Sequence, residues 1–340
     1  MRRVPLLAVL AGLLLLLGVG PALAAERALG TYLQAAVTSD SFDGVCRSLE
    51  NAVPASGLQL LASRDLAVKD QRVRVYVLAA PKFTELVAAQ APRWAAAVLP
   101  QRLVVYQFAG KVCVNFVNPV ALAHVFIGEP VQISAQTRQA ILKAAEEVEK
   151  DLEGLVRAAG LPVQIKDLEP RRQTKDLSGY NGDGMGKIMA RSKNFYESLQ
   201  VVAEYDGADQ AAFDRACRKV EENLGHSKNG WRILSALDTG NLCRVYGVTQ
   251  PEAEETAIRI ESMFRKDKAA GNPLPGVDHA GAFPMEVLVY VDNGKVKVAH
   301  FGQMWRMQYY FWDAGYAAFT ANVAVPGRIF NQITAAVTGK

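Results

Sequence analysis

Three motifs of catalytic or metal-binding sites, HExxH, CxxC and Gly-x-Ser-x-Gly, are absent from this sequence of 340 residues. No convergent set of nucleophile, base and metal ligands can be identified in their place, which argues against an enzyme. The sequence also lacks an excess of one charge, because its net charge is only +4 and basic residues alternate with acidic ones, as in 143–150. Such patterns are typical of solvated helix faces and exclude a nucleic-acid footprint.

After the N-terminus, no stretch is long and apolar enough to cross a membrane. The first 24 residues resemble a secretory signal, because Arg2 and Arg3 precede an apolar stretch from Leu6 to Val19, and Ala22–Ala24 provides a small-x-small cleavage site. An uncleaved anchor is the alternative, but the apolar stretch is short for a span of about 20 residues. No cysteine comes immediately after Ala24, which argues against a lipoprotein. We expect an exported, periplasmic protein with a cleavable signal peptide.

Short sequence patterns occur twice, in the same order, in the two halves of the chain. Phe42-Asp-Gly-Val-Cys-Arg returns as Phe213-Asp-Arg-Ala-Cys-Arg, and Arg74-Val-Tyr returns as Arg244-Val-Tyr. A pattern around Tyr106, with Pro100 before it and Gly110-Lys-Val after it, returns around Tyr290. These repeats are expected of a duplicated domain with loop insertions. We predict a signal peptide at 1–24, a first α+β repeat at 25–160, a linker at 161–194 and a second α+β repeat at 195–340.

Each half is predicted to follow the order β-α-β(2)-α-β(2)-α with antiparallel sheets. In the first half the strands are expected at 31–38, 58–65, 72–80, 102–108 and 111–117, and the helices at 42–53, 81–98 and 136–159. In the second half the strands are expected at 199–205, 231–238, 242–248, 286–291 and 295–301, and the helices at 210–224, 251–266 and 327–337. The linker shows no helical or strand period.

The cysteines are assigned by the faces on which they lie. Cys46 and Cys217 each belong to an apolar helical stripe, which favours a core position over a redox or ligand role. Strand alternation places Val73, Val75 and Val77 on one face, and Cys243 holds the position of Val73. Cys243 is therefore predicted to face the helix of Cys217, which makes Cys217–Cys243 the best single disulfide, although four cysteines allow three connectivities. Cys113 is predicted to point away from the core.

Ten residues of the repeated helices and strands are predicted to form the two cores. They are Phe42, Cys46, Leu49, Val75, Val105, Phe213, Cys217, Val220, Val245 and Val289.

The two halves differ most near His300, where Phe116, Val120 and Ala121 correspond to His300, Met304 and Trp305. With Met307 and the aromatic residues of 305–316, these side chains could line an apolar ligand pocket or form a seam between the halves. An imidazole with thioethers could also hold Cu(I), but a core role is more common for such residues. His279 is predicted to lie at the surface.

Arginine and tyrosine recur on one strand of each half. Arg74 and Tyr76 have Arg244 and Tyr246 as counterparts. Their recurrence is consistent with two equivalent ligand sites, or with solvent-facing sheet positions of high β propensity.

The strand pair from Leu99-Pro100 through Leu103-Val-Val-Tyr106 and Gly110-Lys-Val to Pro119 resembles a bacterial family known as domain of unknown function 302. The resemblance covers most of 33–126 and, more weakly, 199–311. It implies a TATA-binding-protein-like α+β fold and no established activity, and the DNA binding of that fold does not transfer. Family members often have cysteine after the Leu-Pro, where this chain has Gln101 and Met285, so thiol chemistry at that position is absent.

We therefore expect a non-enzymatic protein that binds a small apolar or amphipathic ligand, or a protein partner, at the concave faces of its sheets. The alternative is a periplasmic redox or metal-handling role, with copper or haem, for Cys113, His300, Met304 and Met307. No cofactor and no nucleic-acid partner are expected.

Overall fold

The computed structural model describes residues 27–68, 71–168, 172–180, 194–262, 266–267, 272–273 and 276–340. The predicted signal peptide at 1–24 lies outside the described residues, and so does 181–193, the glycine-rich part of the predicted linker. Among the described residues, no helix has both the length and the apolar character that a membrane crossing requires.

The first half forms a six-stranded antiparallel sheet in the order β2-β3-β4-β5-β1-β6. Its strands are β1 (Tyr32–Thr38), β2 (Gln59–Val68), β3 (Gln71–Ala79), β4 (Gln101–Phe108), β5 (Lys111–Val117) and β6 (Val163–Leu168). Its helices are α1 (Phe42–Ala52), α2 (Pro81–Gln90), α3 (Ala95–Val98), α4 (Pro119–Ile127), α5 (Ala135–Ala158) and α6 (Thr174–Leu177).

The second half forms a five-stranded sheet in the order β8-β9-β12-β13-β7. Its strands are β7 (Leu199–Asp206), β8 (Arg232–Asp238), β9 (Cys243–Thr249), β12 (Met285–Asp292) and β13 (Lys295–Phe301), and β10 (Lys266–Asp267) pairs separately with β11 (Asn272–Pro273). Its helices are α7 (Gln210–Gly225), α8 (Pro251–Arg259), α9 (Met304–Tyr310), α10 (Gly315–Ala321) and α11 (Val325–Thr338), with a 3-10 helix at Val277–Ala282 before β12.

Both sheets place their strands in the same relative order, since β8, β9, β12, β13 and β7 follow one another as β2, β3, β4, β5 and β1 do. The predicted fold class, α+β with antiparallel sheets, is confirmed. A cis peptide bond precedes Pro100 and Pro284, and each of these prolines comes immediately before the strand at the centre of its half, β4 or β12.

Local sequence explains the ends of several elements. Ser41 caps α1, because its hydroxyl accepts a hydrogen bond from the backbone N–H of Gly44 at 3.2 Å. Asn293 and Gly294 both have positive φ values, 51° and 76°, as the two-residue turn between β12 and β13 requires.

All ten residues predicted to form the cores are buried.

The helix α1 packs on the face of β3 that was predicted to point away from it. The hydroxyl of Tyr76 donates a hydrogen bond to Glu50 of α1 at 2.9 Å, so the Arg74–Tyr76 face is the helix side. Val73 and Val75 lie on the opposite face, and with Val104, Tyr106 and Cys113 they pack against Ile258, Val277 and Ala280 of the second half. The predicted assignment of faces was therefore wrong.

The two halves cover one another. Ile258 of α8 and the 3-10 helix at Val277–Ala282 cover the first sheet, and residues 92–98 of the first half pack against β12 of the second. Since these segments occupy the sheet faces opposite the helices, the expected open concave faces are not available as binding surfaces. The prediction that Cys113 points away from the core was wrong, because Cys113 is buried in this contact.

Three boundaries differ from the sequence-based expectations. The helix predicted at 81–98 is interrupted near Ala91, because the residue before Pro92 is driven out of the helical region, with a ψ of 48°. Residues 163–168 of the predicted linker form β6, which pairs with β1. The helix predicted at 251–266 ends at Arg259.

Candidate functional site

A buried cluster of charges lies where the two halves meet. Arg102 of β4 forms an ion pair with Glu286 of β12, and the other carboxylate oxygen of Glu286 pairs with Arg306 of α9. All three side chains are at most 3% exposed. We call Arg102, Glu286, Arg306 and Tyr310 the charge cluster, because the Tyr310 hydroxyl also accepts a hydrogen bond from Arg102 Nη2 at 2.6 Å.

The charge cluster is tied to neighbouring backbone. Arg306 donates to the carbonyl of Ala282 and, through Nε at 3.1 Å, to the side chain of Gln303. Tyr32 of β1 donates from its hydroxyl to the carbonyl of Tyr310 at 3.3 Å. Burial raises the pKa values of Tyr32 and Tyr310, so both hydroxyls stay protonated at neutral pH.

A second buried polar group lies near Tyr32, with the His279 ring centroid 6.4 Å from that of Tyr32. His279 Nε2 is 2.8 Å from Asp313 Oδ1, both side chains are at most 2% exposed, and Asp278 is buried beside them. The prediction that His279 lies at the surface was therefore wrong. No local sequence pattern indicated the burial of His279, because its partner Asp313 lies 34 residues further along the chain.

A cleft opens in the second half next to the charge cluster, with a cavity volume of about 130 Å³. Helix α8 forms one wall with Ala253, Thr256 and Ala257, and α11 forms the other with Val325 and Ile329. Phe283, Met285, Gln303 and Arg306 also line the cleft, and none of them is more than 5% exposed. The cleft thus combines apolar walls with a buried polar end.

The first half has packed helices at the place that corresponds to the cleft. Helix α2 lies between β3 and β4, as α8 lies between β9 and β12, and α5 follows β5 as α11 follows β13. In the first half α2 packs directly against α5. In the second half α8 and α11 are instead the two walls of the cleft. The two halves therefore differ at the location where a ligand could bind.

Of the residues predicted near His300, Met307 and the aromatic Phe311 line the cleft. Trp305 lies in an aromatic cluster that joins the halves, with its ring 4.7 Å from that of Phe126 and 6.2 Å from that of Phe195. Its surroundings match the predicted seam rather than a ligand pocket. Met304 is half-buried at the start of α9 and is not among the lining residues of the cleft.

His300 is a core residue between β13 and α11. Its Nε2 lies 2.9 Å from the Thr334 hydroxyl, and its ring is 4.3 Å from that of Phe330. Burial lowers the pKa of His300 to about 4, because the charged imidazolium is poorly solvated there. The structure therefore places His300 away from the cleft lining.

Arg74 and Tyr76, like Arg244 and Tyr246, connect strands to a helix. Arg74 pairs with Glu50 at 2.9 Å and with Asp65 at 2.5 Å. In the second half Arg244 pairs with Glu221 at 3.3 Å and Asp238 at 2.7 Å, and the Tyr246 hydroxyl donates to Glu221 at 2.6 Å. Burial raises the pKa values of Tyr76 and Tyr246. In each half the arginine and the tyrosine are already paired with carboxylates of the protein, which supports a structural role for these residues.

Among the described residues, Cys46, Cys217 and Cys243 are free thiols. The predicted Cys217–Cys243 disulfide is not formed. It was predicted because Cys243 was expected to face the helix of Cys217, and that expectation was wrong. Arg244 and Tyr246 lie on the α7 side of β9, with Cys217, so strand alternation points Cys243 to the opposite face. Burial raises the pKa of Cys243 to about 11, which makes this thiol a poor nucleophile.

The four residues of the metal or redox alternative occupy separate environments. Cys113 is buried where the first sheet contacts Ile258 and the 3-10 helix of the second half, and His300 contacts α11. Met304 is the first residue of α9, and Met307 lines the cleft. Within the described part of the chain, no group of three or more His, Cys, Asp or Glu residues could hold a metal ion.

Residues 34–158 match the family model described as domain of unknown function DUF302. The predicted resemblance to this family is confirmed. The match covers the first half and does not test the predicted duplication. A crystal structure of an uncharacterized conserved DUF302 protein from Bacillus stearothermophilus aligns with 37% of this chain and 97% of its own, at 18% identity and a TM-score of 0.32. No curated protein matches the chain.

Sequence reasoning missed Arg102, Glu286 and Arg306. A usable signal existed in the sequence. Arg102 and Glu286 each lie two positions after one of the matching prolines, at the start of a mostly apolar strand. Charges within such strands are rare unless they are paired. Their mutual pairing could not be inferred, since it depends on how the halves meet.

Proposed function

We propose that this protein binds a small apolar or amphipathic molecule in the cleft between α8 and α11, and that it acts by binding rather than by catalysis. The observation that carries the proposal is the cleft itself, with its apolar walls and buried polar end, in the half where α8 and α11 are not packed against each other. Ligand sites are typically concave and mostly apolar, with a few polar groups that orient the ligand.

The proposal includes export, which is supported by the sequence of residues 1–24 alone. An exported binding protein would meet its ligand outside the cytoplasm. N-terminal sequencing of the protein recovered from the periplasm would test this part, with a new N-terminus after Ala24 as the expected result. Recovery of the intact N-terminus in the membrane fraction would contradict it.

Binding can be tested with the neutral apolar dye N-phenyl-1-naphthylamine, whose fluorescence rises in an apolar site. We expect saturable fluorescence with the native protein. Ala253 lines the cleft on α8, so Ala253→Trp should fill it and weaken dye binding about tenfold or more, the loss expected when an apolar contact of a few kcal/mol is replaced by a clash.

Glu255→Trp is the matched control, because Glu255 is exposed on the same helix and does not line the cleft. This variant should bind the dye as the native protein does. Equal binding by both variants, or fluorescence that does not saturate, would contradict the proposed function.

A further inference from the structure

Arg306 belongs both to the charge cluster and to the lining of the cleft. It is 2% exposed, and its guanidinium carbon lies 5.0 Å from the ring centroid of Trp305 and 5.1 Å from that of Tyr310. The rings and the burial hold the guanidinium in place. A cation held in this way is a fixed polar group at the end of an otherwise apolar cleft.

The charge cluster contains more positive than negative charge. Arg102 and Arg306 are two permanent cations, and both pair with the single carboxylate of Glu286. Glu254 of α8 is neutralised separately by Arg64, whose Nη2 is 2.9 Å away. Asp278 and Asp313 lie near Tyr32, where their charges help to raise the pKa of its hydroxyl, and Asp313 is paired with His279. The three charged members of the cluster therefore carry one excess positive charge in a buried position, which is costly unless an anion approaches.

Arg306 retains donors for such an anion. A guanidinium has five N–H bonds, and within the described structure Arg306 directs one each to Gln303, Ala282 and Glu286. The two further N–H bonds, one on each terminal nitrogen, have no acceptor among the described residues, and because Arg306 lines the cleft they are available to donate to a ligand there. The planar guanidinium geometry suits a carboxylate better than a single neutral oxygen.

The mouth of the cleft does not select for charge, because it has one exposed residue of each sign, Glu252 and Arg328. The walls along α8 and α11 are mainly apolar, with Ala253, Ala257, Val325 and Ile329 beside the polar Thr256 and Gln332, which suits a hydrocarbon chain. Selection by charge is thus left to the buried end.

We propose that the ligand is an amphipathic monoanion, a carboxylate with an unbranched apolar chain, whose carboxylate contacts Arg306 and whose chain lies between α8 and α11. This inference rests on the proposed function, because it assigns a ligand class to the same cleft. The carboxylate compensates the excess charge of the charge cluster, and the chain replaces water along the apolar walls.

The native protein can be tested with three probes of equal chain length, decanoate, decanol and decylamine, each displacing N-phenyl-1-naphthylamine. We expect decanoate to bind about tenfold tighter than decanol or more, the ratio given by a charge-assisted hydrogen bond, and decylamine to bind most weakly. Equal affinities of decanoate and decanol would overturn this inference and leave the proposed function intact. Binding of none of the probes, including the dye, would instead overturn the proposed function.

Two variants test whether Arg306 is the residue that causes the preference for decanoate over decanol. Arg306→Gln should abolish the preference for decanoate over decanol, and Arg328→Gln, at the exposed mouth, should retain it. Loss of the preference in Arg328→Gln would overturn the assignment to Arg306. If Arg306→Gln does not fold, the ranking of the probes on the native protein and on Arg328→Gln still decides the matter.

Discussion

Arg74 and Arg102 lie on neighbouring strands and both contact carboxylates, but their surroundings differ. The side chain of Arg74 is 19% exposed and its partner Asp65 is 60% exposed, whereas Arg102 and Glu286 are 1% and 3% exposed. Exposed pairs contribute about 0–1 kcal/mol, because water solvates the separated charges well. The recurrence of Arg74 as Arg244 therefore reflects the attachment of a helix to its sheet, and the arginines that matter for the site are Arg102 and Arg306.

His300 makes the stability of the protein depend on pH. Its pKa is about 4 in the folded protein and near 6.5 in the unfolded chain, so the unfolded chain takes up a proton first as the pH falls. Stability is complete above pH 6.5 and is lost as the pH falls towards 4, with a loss of about 2 kcal/mol at pH 5.

Phe116 holds the position of His300 in the first half and is fully buried there, so His300→Phe is a suitable comparison. Urea unfolding of both proteins at pH 7.5 and pH 5 should show a smaller loss of stability on acidification in the variant. The same pH dependence in both proteins would show that other groups control it.

At the scale of elements, amphipathic segments could be predicted from the sequence and uniformly apolar ones could not. The stripe of Phe42, Cys46 and Leu49 indicated α1 and the face it buries. Helix α4 was missed, because eight of its nine residues are buried and an all-apolar segment shows no helical period. Helix α9 was missed for a related reason, since its polar residues Arg306 and Gln308 are buried as well.

The face of α1 can be tested by truncation of its first residue. Phe42 is 2% exposed, and Phe42→Ala should lower the free energy of unfolding by about 3–5 kcal/mol, because the removed ring leaves a cavity. Phe213→Ala should have a similar effect in α7. Arg47→Ala, at an exposed position of α1, is the control and should change stability by less than about 0.5 kcal/mol in urea unfolding. A control effect as large as that of Phe42→Ala would contradict the assigned face.

At the scale of the whole molecule, the arrangement of the two halves could not be predicted from the sequence. Strand periodicity showed that Val73 and Val75 share a face, but the partner of that face is Ile258 and Ala280, far along the chain. For the same reason Met307 was recognised as a candidate site residue and Arg306 beside it was not. Arg306 lies between Trp305 and Met307 in the sequence, and no local pattern there indicates its pairing with Glu286.

The charge cluster should couple the stability of the two halves. Glu286→Gln leaves two buried guanidinium groups without a carboxylate, and we expect it to lower the free energy of unfolding by about 3–5 kcal/mol. Asp65→Asn removes an exposed partner of Arg74 and should cost less than about 1 kcal/mol.

Scanning calorimetry should show a single unfolding transition in both variants, shifted strongly only in Glu286→Gln. Two resolved transitions, of which one stays at the native temperature, would show that the halves unfold independently.

Arg102 and Glu286 occupy matching positions in β4 and β12, and they contact one another. Two separate identical chains assembled about a two-fold axis would bring any residue at this point against its own copy, arginine against arginine or glutamate against glutamate, and the like charges would repel. Two different halves joined in one chain are free of that restriction. Linkage in one polypeptide thus allows opposite charges to face each other at the centre, and it allows one half to open a cleft while the other keeps its helices closed.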